Sequence, residues 1–136
     1  MKIAQYGTTI AVIHAIANGV HGLAHLEIPI PLSLLQILFV GMVIFLIPII
    51  AAVLLWTQFY RIGSWLLLSS MAGSILFGLY NHFIAISPDH VSQVAFAGWG
   101  LVFQVTAILI LIVDGLGAGI GFWALRTIQQ QEQGAL

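Results

Sequence analysis

The chain has 136 residues, of which 61% are hydrophobic and only 5% are charged. A soluble domain carries about 25% charged residues, so this composition excludes a solvated globular fold and predicts an integral, all-α membrane protein. The absence of cysteine excludes disulfides and thiolate metal ligands. A net charge of −1 excludes the basic surface of a nucleic-acid-binding protein.

Four apolar stretches are each long enough to cross the hydrocarbon core of a bilayer, which takes about 20 residues. The first is interrupted by three histidines and one asparagine, which is atypical of a signal peptide, so we expect it to be a span. Short connections predict antiparallel neighbours, and therefore an up-down four-helix bundle within one transmembrane domain, residues 1–136. The predicted spans are residues 6–26, 32–56, 62–86 and 94–124.

Two of these spans carry local irregularities. Pro48 lies inside the second span, where a proline is expected to kink the helix. The fourth span is longer than one straight crossing requires, so it either tilts or is disturbed near Asp114. Asp114 itself has two interpretations: a proton or cation relay inside the membrane, or a cap at a helix break.

The few charged residues predict the orientation of the bundle. With four spans, Lys2, Arg61 and Arg126 lie on one side of the membrane, and Glu27 and Asp89 lie in the two opposite connections. The positive-inside rule therefore places both termini in the cytoplasm, with residues 126–136 as a polar cytoplasmic tail. The expected location is a bacterial inner membrane.

One face of the first span carries most of the polar side chains. At about 100° per residue, His14, Asn18, His21 and His25 fall within a stripe roughly 60° wide. At 1.5 Å per residue from the outer end, His25 lies near the surface, His21 roughly 9 Å deep and His14 roughly 20 Å deep. On the third span, His82 lies at about the depth of His21.

These positions predict a metal site near the outer membrane face. His21 and His25 are four residues apart, a spacing at which two imidazoles on one helix can bind the same ion. Three more candidate ligands come from other segments, namely His82, Asp89 and His90. Nitrogen and oxygen ligands without thiolates suit zinc, copper or iron. The expected protein is a small polytopic metalloprotein, and in a catalytic site Glu27 or Asp89 would be the candidate base.

Two other functions are compatible with the same residues. A b-type haem or quinone redox protein would use histidines on two helices as axial ligands, with His14 and Asn18 as the deeper candidate site. A cofactor-free accessory subunit would use the histidines only for interhelical hydrogen bonds, worth about 0.6 kcal/mol each on average. The sequence leaves open whether the protein is an enzyme.

The fourth span also carries a glycine-rich segment. Gly115, Gly117, Gly119 and Gly121 form small-xxx-small pairs, which allow two helix backbones to approach closely. Besides the lipid bilayer, the expected partner is therefore a second copy of the chain, in a homo-oligomer formed through this helix.

Overall fold

The computed structural model describes residues 2–134, which contain helices and connecting turns and no strand. Two π-helical stretches extend the helices: Val40–Leu46 joins the second α-helix to the third, and Tyr80–Ile84 continues the fourth. The α-helices are α1 (Lys2–Glu27), α2 (Leu34–Phe39), α3 (Ile47–Leu54), α4 (Tyr60–Leu79) and α5 (Trp99–Gly134).

Four continuous helical segments are long and apolar enough to cross a membrane, namely Lys2–Glu27, Leu34–Leu54, Tyr60–Ile84 and Trp99–Gly134. This confirms the all-α fold with four candidate spans, whereas the up-down order and the sidedness stay predictions. The last segment differs most from its predicted bounds. It begins after Gly98, whose φ of 53° is a left-handed conformation that favours glycine. It then continues as helix through residues 126–134 of the predicted tail, and residues 135–136 lie outside the described residues.

Helix α5 packs against α1 and α4, and α3 packs against α1 and α4. The alternate glycines of α5 have different surroundings. A Cβ at Gly121 would lie 2.8 Å from the backbone nitrogen of Leu68, so the absent side chain allows α5 to approach α4. Gly115 and Gly119 are exposed and have open space around them. Close packing within the chain therefore uses Gly121, and a homo-oligomer through the exposed glycines stays a prediction.

A buried pair of titratable side chains connects the first and last helices. Asp114 is 0% exposed and His14 1%, and the His14 Nδ1 lies 2.5 Å from the Asp114 Oδ1. Helix α5 continues without a break through this position, so the interpretation of Asp114 as a helix-break cap is wrong. The hydrogen bond between the two side chains lowers the cost of burying both of them.

The second ring nitrogen of His14 compensates for Pro48. Proline has no N–H and cannot donate to the carbonyl four residues earlier, which here belongs to Ile44. The His14 Nε2 lies 2.7 Å from that carbonyl oxygen and donates to it. The π-helical stretch Val40–Leu46 directly precedes the proline. One imidazole therefore satisfies a backbone group that lipid could not satisfy.

We predict that Asp114→Ala lowers the free energy of unfolding by about 3–5 kcal/mol, because it leaves the buried His14 without its partner. The measurement is detergent-induced unfolding of the purified protein. The matched control is Glu132→Ala, which breaks the exposed Arg61–Glu132 ion pair, 2.9 Å long, and should cost about 0–1 kcal/mol. Equal effects of the two substitutions would contradict the structural importance of the buried pair.

Candidate metal centre

Three histidines converge at one end of the bundle. His21 and His25 come from α1, and His82 comes from the π-helical stretch Tyr80–Ile84. Each offers one ring nitrogen, and the three nitrogens lie within 4.8 Å of one another, so the group could hold a metal ion. The fully buried Phe103 stacks on the His21 ring, with ring centroids 4.8 Å apart. The similar depths predicted from the sequence for His21 and His82 agree with the close approach of these two side chains.

The hydrogen bonds of His21 fix its tautomer. The Thr106 hydroxyl has one proton, which it donates to the Val102 carbonyl oxygen at 2.6 Å. Its oxygen therefore accepts a hydrogen bond from the His21 Nδ1, which lies 2.8 Å away. With the proton on Nδ1, the Nε2 of His21 carries a free lone pair.

The same reasoning applies to His82. Its Nδ1 lies 3.0 Å from the backbone carbonyl oxygen of Asp89 and 3.2 Å from the Oδ1 of the same residue. The backbone carbonyl oxygen can only accept a hydrogen bond, so the Nδ1 of His82 carries the proton. The Nε2 of His82 is then also a free acceptor.

These two acceptors face each other. The His21 Nε2 and the His82 Nε2 are 3.3 Å apart. Two lone pairs at this distance repel unless a proton or a metal ion lies between them. An ion with tetrahedral geometry and metal–nitrogen bonds of about 2.0–2.1 Å separates two ligand nitrogens by about 3.3–3.4 Å. The observed separation therefore fits two ligands of one tetrahedral ion.

His25 supplies a third nitrogen. Its Nε2 lies 3.3 Å from the Asp89 Oδ1, and its Nδ1 is buried without a hydrogen-bond partner. Asp89 is 4% exposed, and neither carboxylate oxygen makes a well-directed hydrogen bond. The carboxylate therefore lies next to two histidines, His25 and His82. Acidic residues in this position orient metal-binding imidazoles in other proteins.

The other predicted site residues lie apart from this centre. His90 caps a short 3₁₀ turn, Val91–Gln93, where its Nδ1 accepts from the Ser92 backbone N–H at 3.1 Å. Glu27 is exposed at the end of α1. His14 belongs to the deeper pair with Asp114, and Asn18 donates to the His14 backbone oxygen at 3.0 Å.

Sequence reasoning missed Thr106, whose hydroxyl orients His21. A signal was available, because Thr106 is the only serine or threonine between residues 94 and 124. A single hydroxyl in such an apolar stretch needs a partner, although its own backbone usually provides one. The sequence does not indicate that this hydroxyl also accepts from an imidazole 85 residues away.

A cavity of about 180 Å³ adjoins the histidines and extends between α1, α4, α5 and the Val40–Leu46 stretch. Comparison of the chain with protein-family models, curated proteins and solved structures finds no match. The three imidazoles, the buried Asp89 carboxylate and the cavity are therefore the features from which a function is inferred.

Proposed function

We propose that this protein is a small polytopic membrane metalloprotein that binds one divalent transition-metal ion. The ligands are His21 Nε2, His82 Nε2 and His25 Nδ1. The observation that carries the proposal is the 3.3 Å separation of the two Nε2 atoms. In each ring the other nitrogen, Nδ1, already donates a hydrogen bond to a protein oxygen. Zinc, copper and non-haem iron all suit three imidazole ligands.

Asp89 is a positioning residue in this centre. Its Oδ1 lies 3.3 Å from the His25 Nε2 and 3.2 Å from the His82 Nδ1, so the carboxylate holds both rings with their other nitrogens toward the ion. A carboxylate in this position also raises the basicity of the ligands. Glu27, the other candidate base, is exposed at the end of α1.

Three protein ligands leave one position open on a tetrahedral ion. Open positions distinguish catalytic from structural zinc sites, which usually have four protein ligands. The cavity lined by the three histidines gives a small molecule access to that position. A site that binds a reactant on the metal is therefore favoured over one that only stabilises the fold.

The haem alternative requires axial ligands with a free nitrogen. His14 has none, because its two ring nitrogens bond to Asp114 and to the Ile44 carbonyl at 2.5 and 2.7 Å. A haem bound at His14 would have to displace one of these partners. The accessory-subunit alternative differs from the proposal in a measurable way, because it requires no bound metal.

We predict that the tag-free protein, purified without chelators, contains about one zinc, copper or iron ion per chain. His21→Ala and His82→Ala should each abolish stoichiometric metal, because each removes one of the two facing Nε2 ligands. The matched control is His90→Ala, since His90 lies in the outer loop and bonds to Ser92. The measurement is elemental analysis, reported as metal per chain.

The outcomes of this experiment separate the three functions. Metal retained in the His21→Ala/His82→Ala double variant would contradict the proposed ligands. Iron with a Soret absorption band would establish the haem alternative. Wild-type protein without metal above background would leave the accessory-subunit interpretation.

We predict that Thr106→Val weakens metal binding about 10- to 100-fold, because the His21 ring loses the hydroxyl that orients it. The measurement is a dissociation constant from competition with a chelator. The matched control is Thr127→Val, since Thr127 also donates to the carbonyl four residues earlier, at 3.0 Å, but is only partly buried and lies away from the histidines. Unchanged affinity in Thr106→Val would show that the hydroxyl does not support the site.

We propose that the metal centre lies at the non-cytoplasmic side of a bacterial inner membrane, with both termini in the cytoplasm. The cysteine-free chain allows a direct test by single substitutions. In intact spheroplasts, Ser92→Cys should react with a membrane-impermeant maleimide, and Gln131→Cys should react only after permeabilisation. The reverse pattern would invert the orientation.

A further inference from the structure

The cavity beside the histidines is larger than packing defects in folded proteins, where few voids exceed the size of a water molecule. Its volume is about 180 Å³, and an apolar cavity of about 150 Å³ is large enough to bind benzene. His21, His25 and His82 line one part of it. The cavity can therefore hold a molecule built on a single small ring.

One buried hydroxyl in the cavity lacks a partner. Ser74 lines the cavity, is 1% exposed, and its Oγ makes no hydrogen bond. Two other buried serines of α4 donate to carbonyl oxygens of their own helix: Ser64 to Tyr60 at 2.8 Å, and Ser70 to Leu67 at 3.2 Å. An unpaired buried hydroxyl costs free energy, which a bound molecule with a polar group would recover.

Ser74 and the histidines, two of the polar parts of the cavity lining, lie at different depths; Asn18 and Asp89 also line the cavity. Ser74 and His82 belong to the same helical segment, Tyr60–Ile84, and their Cα atoms are about 12 Å apart along its axis. The walls are formed mainly by apolar side chains, including Val40, Ile44 and Phe77. Within the part of the chain that the structure describes, no lysine or arginine lines the cavity, whereas the Asp89 carboxylate does, which disfavours an anionic ligand. These features favour an uncharged, elongated ligand.

One residue that lines the cavity is also exposed on the outside of the protein, near the end of α1. This residue is Leu26, which is 79% exposed. In the proposed membrane topology, this apolar position favours entry of a mainly apolar molecule from the bilayer.

We propose that this cavity binds a small, uncharged molecule with an apolar ring and a polar group at each end. One polar group occupies the open position on the metal, and the other forms a hydrogen bond with the Ser74 Oγ. This inference rests on the proposed metal centre, because the first contact requires the ion.

The test uses full-length protein loaded with Co²⁺, whose visible absorption changes when a ligand joins the coordination sphere. Cobalt per chain is measured on every sample before titration. The probes are 4-(hydroxymethyl)phenol, with two polar ends, phenol, with one, and p-xylene, with none. We expect saturable spectral changes with the first two probes and none with p-xylene.

Substitution of Ser74 then tests the far end of the ligand. Ser74→Ala should weaken the binding of 4-(hydroxymethyl)phenol about three- to tenfold, which is the effect of one hydrogen bond. The affinity for phenol should stay the same. The matched control, Ser69→Ala, changes an exposed serine of the same helix and should affect neither probe.

The failures are distinguishable. Cobalt-loaded protein that shows no spectral change with either phenol would overturn the ligand proposal and leave the metal centre standing. Equal effects of Ser74→Ala on both phenols would overturn the role assigned to Ser74. Protein that binds no cobalt would overturn the metal centre and the ligand proposal together.

Discussion

The lack of an N–H at Pro48 imposes a constraint that several parts of this structure satisfy together. Ile44 is only 5% exposed, so its carbonyl, which the proline leaves without a donor, must find one in another part of the protein. His14 does so from α1, and its second nitrogen pairs with Asp114 on α5. One imidazole thereby joins three of the four spanning segments. The hydrogen bond between His14 and Asp114 lowers the free-energy cost of burying both side chains completely.

The histidines of this protein fall into two kinds according to how their nitrogens are used. Both ring nitrogens of His14 form hydrogen bonds with other parts of the protein, as expected of a group that only holds helices together. In His21 and His82 only the Nδ1 bonds to the protein, to the Thr106 hydroxyl and to the Asp89 carbonyl respectively. Their Nε2 atoms face each other. Because the outer partners fix the tautomers, the inner nitrogens are acceptors, as a metal ligand must be. This difference separates a structural histidine from a candidate ligand more clearly than depth or burial does.

The surroundings of the candidate metal centre combine rigidity with access. Phe103 packs against the rings of all three histidines, with centroid separations between 4.8 and 5.3 Å. Gln36 of α2 donates to Asn81 at 2.9 Å and so ties the second spanning segment to the stretch that carries His82. The cavity lies beside this fixed group, and Leu26, which lines it, is exposed. A small molecule in the cavity would therefore meet imidazoles already held in position.

The sequence by itself determined the all-helical class, the four helices long and apolar enough to cross a membrane, and the common level of His21 and His82. These follow from composition, from the length of each apolar stretch and from the fixed rise and rotation per residue of a helix. Only the tertiary structure decided that His90 lies apart from the three histidines, that Thr106 supports His21 and that Asp114 pairs with His14, 100 residues away. Helix geometry gives the depth and direction of a side chain on its own helix. Distances between helices, and the direction in which a loop turns, depend on how the side chains of different segments pack together.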